Sequence, residues 1–409
     1  MGQKVACDYE ARTPKAKWDV MNIRAAVAKQ LLKRIAPHVD VSVILPNGQK
    51  LGPDKSNLPT LTIHNENFFV RLGNDLKIGL GESFMAKEWS AAPDLAEVLT
   101  PYAEKLLHIV PGWMRKFRKL FEPFQPKQEE NNPEGSKSNI ARHYDLSNEL
   151  FALFLDETMS YSSANFGSDQ PTFENLAKAQ IRKIEGVLDF AGVKAGMQIL
   201  EIGSGWGQLA IQAALRGAKV HTITLSKEQK ALADERIANA GLSNMINVEI
   251  RDYRDLNLQY DAVVSVEMIE AVGEKYWPTY FGEIAKHLKS GGRFGLQAIT
   301  MPHDRLLASK HAYTWIHKYI FPGGIIPSRE VIDQHTKKEM KLVDSRAMGI
   351  DYANTLKLWR ERFIQNQKAV RALGFDEEFE RMWEYYLAYS EAGFRARHLN
   401  VWQLGFVKV

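Results

Sequence analysis

Between residues 197 and 299 short apolar runs alternate with amphipathic stretches. Met197–Ile202, Lys219–Thr224, Ile246–Ile250, Tyr260–Val266 and Gly292–Ile299 have the length and β-branched content of strands buried in a sheet. Between several of them, Gln208–Arg216, Lys227–Ala240 and Tyr276–Leu288 repeat apolar residues at helical spacing. This alternation predicts an α/β fold built on a doubly wound parallel sheet, Rossmann-like in plan. The pattern differs upstream. Leu58–Asn65 and Asn67–Leu72 read as strands and Ala92–Ile109 as a helix, which predicts a smaller N-terminal α+β domain. Residues 122–139 are rich in Pro, Glu, Gln, Asn, Gly and Ser and too poor in apolar side chains to hold a core. The expected division is therefore a first domain over 1–121, a linker over 122–139 and a second domain over 140–409.

In an open α/β sheet a ligand binds at the carboxyl ends of the strands, so those ends carry the informative residues. The first strand runs into Ile-Leu-Glu-Ile-Gly-Ser-Gly-Trp-Gly at 199–207. Gly203, Gly205 and Gly207 permit a tight turn and a close backbone approach to a ligand. A nicotinamide fold would place an acid about 20 residues on, to hold the ribose hydroxyls. Here that region offers Thr224, Leu225, Ser226 and Gln229 instead, and no phosphate-binding lysine follows the glycines. Glu201 within the strand and these hydroxyl and amide groups favour S-adenosylmethionine over a dinucleotide or ATP. Later strand ends carry Asp252, Tyr253 and Arg254, then Glu267 and Glu270, then Gln297. An adenine is expected against Asp252 and Tyr253, one hydrogen-bonding and the other stacking.

Composition narrows the classes. The chain has 409 residues, 45% of them hydrophobic, enough for a sizeable core. No apolar run reaches the roughly 18 residues of a membrane span, and no signal-peptide core follows Met1, so a cytoplasmic location is expected. The single cysteine, Cys7, excludes an intrachain disulfide and a thiolate zinc site. A net charge of +4 without a dense basic stripe argues against nucleic acid as a partner. One local segment is basic and aromatic together: Trp113, Phe117 and Phe121 interleave with Arg115, Lys116, Arg118 and Lys119. It suits peripheral contact with an anionic lipid surface, at the inner face of the membrane, and equally suits a packing helix with a solvated basic face.

Taken jointly, these residues resemble the cyclopropane fatty acid synthase family of S-adenosylmethionine-dependent methyltransferases. The resemblance rests on His143-Tyr144-Asp145, Met159-Ser160-Tyr161-Ser162, Glu201 to Gly207, Thr224-Leu225-Ser226 with Gln229, Asp252-Tyr253-Arg254, Met268-Ile269-Glu270, Lys318 to Pro322, Asp351-Tyr352 and Arg381-Met382-Trp383. It implies that Tyr161, Ser162, Gly203, Gly205, Thr224, Leu225, Gln229, Asp252, Tyr253 and Arg254 bind the cofactor. It implies a reaction in which an alkene of an unsaturated phospholipid acyl chain takes the sulfonium methyl, and the resulting carbocation loses a proton. No metal is needed.

In ring-forming members a bicarbonate held by a cysteine, a histidine, a glutamate and a tyrosine accepts that proton. The glutamate falls on Glu270 and the tyrosine on Tyr352, but the cysteine is Ser163 and the histidine Gln297. Glu157 also stands where ring-forming members often have proline, and a carboxylate there could replace or reposition the base. These departures resemble the branch that makes methyl-branched acids of the tuberculostearic type. There a hydride shift precedes loss of a methyl proton, and a separate reductase saturates the exocyclic methylene. Alternatives are a cyclopropane synthase and a catalytically silent lipid-binding protein on the same scaffold. A homodimer is one assembly open to it. Tyr313–Phe321 and Met382–Leu387 fit an acyl tunnel or plain core packing, and His143 and His317 are candidate bases or structural residues.

Overall fold

The computed structural model describes residues 16–109 and 147–409, which fall into two compact units dividing between Ala92 and Pro93. In the first unit α1 (Ala16–Ile35) leads into β1 (Ser42–Ile44), β2 (Lys50–Leu51) and β3 (Thr60–Ile63). Helices α2 (Asn67–Asn74) and α3 (Leu76–Met85) and strand β4 (Trp89–Ala92) follow. The sheet order is β2-β1-β3-β4, with β1 and β3 parallel. Val43, Leu61, Ile63, Phe68, Phe69 and Trp89 are buried in this unit.

Asn67–Leu72, expected as a strand, is helical. A short apolar run cannot be assigned by periodicity alone, and packing decides it. A Cβ on Gly73 would come within 2.6 Å of the Arg24 backbone, so α2 lies directly on α1. The segments at 111–121 and 122–139, read as a lipid-facing stretch and a linker, lie outside the described residues.

The second unit opens with α4 (Leu95–Ile109), expected in the first domain, which packs on α15 (Glu377–Arg395) of this unit. After α5 (Asn148–Ala152) and α6 (Phe173–Phe190) the alternating elements begin. They are β5 (Gln198–Ile202), α7 (Gln208–Leu215), β6 (Lys219–Thr224), α8 (Lys227–Asn239), β7 (Ile246–Ile250), β8 (Tyr260–Val266), α9 (Trp277–His287) and β9 (Leu288–Thr300). The chain then runs through α10 (His303–Ser309), α11 (Trp315–Tyr319), α12 (Arg329–Thr336), β10 (Met340–Ala347), α13 (Gly349–Gln365), α14 (Gln367–Ala372), α15 and β11 (Asn400–Lys408).

The sheet order is β10-β11-β9-β8-β5-β6-β7. Strands β5 to β9 pair in parallel, as the alternation predicts, and the order reverses between β5 and β8. Two further strands, which the apolar pattern did not reveal, extend the sheet: β11 pairs antiparallel with both β9 and β10. Successive residues of a strand face opposite sides. Accordingly Ile199 joins Ile184, Val187, Leu209 and Val220 on one face, while Leu200 joins Trp277, Tyr280, Phe294 and Phe406 on the other.

Candidate active site

The turn after β5 is held by backbone bonds. The N–H groups of Gly203 and Ser204 both donate to the Ile223 carbonyl of β6 at 3.0 Å. Gly203, Gly205 and Gly207 have φ of +92°, +48° and +89°, the left-handed region that side chains disfavour. At Gly203 a Cβ would meet Met268 Cγ at 2.6 Å, whereas at Gly205 it would meet nothing within 4 Å. The backbone of Gly205 thus borders open space. Within β5, Glu201 is buried, and burial pushes its carboxyl up to about 8.

The next strand end is built as a cap. Ser226 Oγ accepts from the Gln229 N–H at 3.2 Å and so caps α8. Thr224 Oγ1 accepts from the Ser226 N–H and donates to Gln229 Oε1 at 2.9 Å, which fixes the Gln229 amide. Leu225 between them is half-buried. At the end of β7 the Asp252 carboxylate accepts from Arg254 Nε at 2.8 Å and Nη2 at 2.6 Å. The Arg254 guanidinium lies 5.4 Å from the Tyr253 ring centre and 5.7 Å from that of Tyr276. Tyr253 is a core ring, edge-on to Tyr280 at 5.6 Å, with its hydroxyl pushed up to about 12 by burial. The ring expected to stack on an adenine is thus largely engaged by the protein itself.

Tyr161 and Ser162 precede Ser163 in the loop between α5 and α6. Tyr161 Oη shares a 2.7 Å hydrogen bond with Tyr386 Oη, and its ring packs on Phe151 and Trp359. Ser162 Oγ accepts from Lys183 Nζ at 2.5 Å.

A buried carboxylate gathers the remaining donors. Glu267 follows β8 with φ +51°. Its Oε1 accepts from the Ser163 N–H at 3.0 Å and from Gln297 Nε2 at 2.8 Å, and its Oε2 accepts from Tyr352 Oη at 2.9 Å. Gln297 is oriented in turn by Gln403, whose Nε2 donates to Gln297 Oε1 at 2.9 Å and to the Lys183 carbonyl at 2.8 Å. Burial raises the Glu267 carboxyl, opposed chiefly by hydrogen bonds from Ser163 and Gln297, and raises the Tyr352 hydroxyl well above its ordinary value.

Glu270 is held apart from this set. Its Oε1 accepts from the Ile299 N–H at 2.5 Å, while its Oε2 is buried and finds no hydrogen-bond partner among the described residues. Burial, and secondly the charge of Glu267, push its carboxyl up to about 8.

Of the four residues expected around an anion, Ser163, Gln297 and Tyr352 therefore converge on Glu267 rather than on Glu270. Ser163 does so through its backbone, its hydroxyl donating to the Ala164 carbonyl. Glu157 is exposed. Its carbonyl accepts from Arg236 Nη1, and Arg236 Nη2 bonds the Thr158 carbonyl and Gln208 Oε1, placing this loop beside the start of α7.

Two residues of the site escaped the sequence reading. Glu267 was legible only as an acid at a strand end, and Lys183 was not singled out. The signal for Lys183 is its helical spacing with Gln180 and Val187, which puts it on the buried face of α6.

The aromatic runs are mostly core. Trp315, Trp383, Tyr385 and Tyr386 are buried, with Trp315 edge-on to Tyr385 at 4.7 Å. Both ring nitrogens of His317 are engaged: its Nδ1 accepts from the Thr314 N–H at 3.1 Å, and its Nε2 lies 3.0 Å from the Gly324 carbonyl. His143 lies outside the described residues. Among the described residues no helix is long and apolar enough to cross a membrane.

Comparison with known proteins adds an independent line. Residues 131–404 match the family described as mycolic acid cyclopropane synthetase. The chain is 47% identical over 393 residues to a tuberculostearic acid methyltransferase of Mycobacterium tuberculosis, covering 94% of this chain and 91% of that protein. It is 35% identical over 353 residues to the cyclopropane-fatty-acyl-phospholipid synthase of Escherichia coli, covering 85% and 87%. In three dimensions it is similar to the cyclopropane synthase MmaA2 of Mycobacterium tuberculosis, with a TM-score of 0.62 and 29% identity over 66% of this chain and 98% of that one. A mycolic acid cyclopropane synthase solved with S-adenosylhomocysteine superposes with a TM-score of 0.61 at 28% identity, over 69% and 99% of the two chains. With matches this extensive in sequence, and a similar fold in three dimensions, the chain belongs to the mycolic acid cyclopropane synthetase family.

Proposed function

We propose that this protein transfers the methyl group of S-adenosylmethionine to the double bond of an unsaturated phospholipid acyl chain and releases a methylene-bearing product, the precursor of a methyl-branched acid. The observation that carries the reading is the convergence of Ser163, Gln297 and Tyr352 on the buried Glu267 carboxylate. The similarity to a tuberculostearic acid methyltransferase over 94% of the chain supports it.

The residues fit the methyl donor: open space borders Gly205, and the Thr224–Gln229 pair and the Asp252 carboxylate offer polar groups at adjoining strand ends. Bound S-adenosylmethionine would supply an electrophilic methyl group, which the alkene π pair attacks. The protein's own task is then to shelter a carbocation and remove a proton from it. Tyr352 presents its ring and hydroxyl, with Trp359 and Phe394 packed against it, and negative ring faces stabilise a cation.

Because the Tyr352 hydroxyl donates to Glu267, its oxygen keeps a lone pair as acceptor. A hydride shift first moves the cation onto the methylated carbon, and a proton of the transferred methyl group then passes to that oxygen while the tyrosine's own proton passes to Glu267 Oε2. The C–H electron pair closes the new double bond, Tyr352 remains neutral, and Glu267 ends as a carboxylic acid that later returns its proton to water. Bicarbonate does not fit this site, since the Gln297 and Tyr352 donors assigned to it are engaged by Glu267. In this reading Glu157, on the loop beside α7, influences which proton leaves, and a separate reductase completes the branched acid. The protein acts as a peripheral guest at the inner membrane face.

The test is incubation with S-adenosylmethionine and unsaturated phospholipid vesicles, followed by ozonolysis and mass spectrometry of the recovered acyl chains. A methylene is cleaved to a mid-chain ketone and is the expected result. An uncleaved acyl chain one methylene heavier would make the protein a cyclopropane synthase, the reading that the similarity to the Escherichia coli enzyme favours. No added carbon at all would make it a lipid-binding protein.

A further inference from the structure

Helix α6 turns one ammonium group inward. Lys183 is only 2% exposed and donates to Ser162 Oγ at 2.5 Å. One turn earlier the buried Gln180 donates from Nε2 to the Ser160 carbonyl at 3.2 Å and the Ser162 carbonyl at 2.9 Å. These bonds grip the segment whose next residue, Ser163, gives its N–H to Glu267. A second route leaves the same residue: the Lys183 carbonyl accepts from Gln403, which holds Gln297, which donates to Glu267. Lys183 thus stands at the root of two hydrogen-bonded paths that end on one carboxylate.

Its charge has acidic company. Glu267, Asp156 and Glu201 are the carboxylates that act on it, and Asp156 Oδ1 and Glu201 Oε2 are buried without a hydrogen-bond partner among the described residues. An ammonium taken fully out of water is costly unless opposite charges surround it. Burial pulls Lys183 down to about 8, against the opposing pull of those acids.

We propose that Lys183 is a positioning residue of the reaction: it locks the Ser160–Ser163 loop to α6 and sets the Glu267 carboxylate opposite Tyr352, coupling the cofactor-side loop to the proton acceptor. This rests on the role given to Glu267 above. The Lys183 charge acts on that acid, and the loop contact explains why a lysine rather than an aliphatic residue occupies the buried face of α6.

The test uses the full chain with Lys183→Met and Lys183→Arg. For Lys183→Met, the expected kcat loss is about a hundredfold, the scale of a misplacement near one ångström. The acidic limb of its kcat–pH profile moves upward, because an acid that loses a neighbouring cation holds its proton to higher pH. Lys183→Arg keeps the charge but not the contact geometry, so its limb stays with the wild type while kcat falls. Near-UV circular dichroism and calorimetric titration with S-adenosylmethionine establish that each variant is folded. If Lys183→Met does not fold, the arginine variant decides: unchanged kcat overturns the proposal. An active wild type whose folded Lys183→Met variant keeps both kcat and limb overturns this inference alone. A wild type that forms no methylated acyl chain overturns the functional reading and this inference with it.

Discussion

Glu267 and Glu270 are three positions apart in one turn and have opposite surroundings. Both oxygens of Glu267 accept hydrogen bonds, while one oxygen of Glu270 has no partner among the described residues. The difference arises in the backbone: φ of +51° at Glu267 costs about 1–2 kcal/mol for a non-glycine residue, and it persists because three donors hold the side chain. Glu270, raised to about 8, has the clearer pH signature. Below its ordinary value of 4.5 the carboxyl is neutral in folded and unfolded chains alike. From 4.5 up to about 8 the unfolded chain ionises first, so the glutamate draws the protein toward unfolding as pH rises. Above about 8 both states are ionised and the effect levels off. Glu270→Gln keeps an acceptor for the Ile299 N–H, so its melting temperature should exceed that of the wild type by a margin that widens across this window and then stays constant. Thermal melts at a series of pH values check this, and a margin independent of pH would mean that Glu270 is not held protonated.

At the scale of elements, α4 shows how a helix is assigned to one unit. Asp94 accepts from the Ala96 N–H at 2.8 Å as a cap and from Arg360 Nη1 of α13 at 2.6 Å. Arg360, 2% exposed, also donates to Glu391 of α15 at 2.9 Å, so one guanidinium joins three helices. Arg360→Met removes the nearer cation from the buried Glu391, leaving Arg395 Nε at 3.6 Å, and should cost about 3 kcal/mol, the lower end of the usual range for breaking a buried pair from one side. Guanidinium denaturation would register this as a lowered midpoint, and a loss under about 1 kcal/mol would assign the pair to the solvated class. Spacing in the sequence marked α4 as a helix, but nothing in its own residues names Arg360 as a partner 266 positions away. Strand β11 makes the same point, since its pairing register sets Gln403 opposite Gln297.

At the scale of the whole molecule, the basic aromatic segment at 111–121 is proposed to deliver the protein to lipid. Neutralising Arg115, Lys116, Arg118 and Lys119 together should weaken sedimentation with anionic vesicles at low salt, with the difference fading as salt screens the attraction. Equal sedimentation of the variant at low salt would give that segment a packing role. Much of the protein was legible along the chain: the alternation of strands and helices and the glycine turn at 203–207 depend on residues a few positions apart, where period and turn chemistry are decisive. Short ambiguous runs were not, and Asn67–Asn74 became a helix because α1 lies against it. The acid site belongs to tertiary structure alone. Ser163 reaches Glu267 across 104 positions, Tyr352 across 85 and Gln403 reaches Lys183 across 220, so no local pattern specifies which carboxylate the donors find. The sequence determined that acids stand at the carboxyl edge of the sheet. Packing decided which of them is hydrogen-bonded and which is merely buried, because burial and pairing are properties of neighbours that only folding brings together.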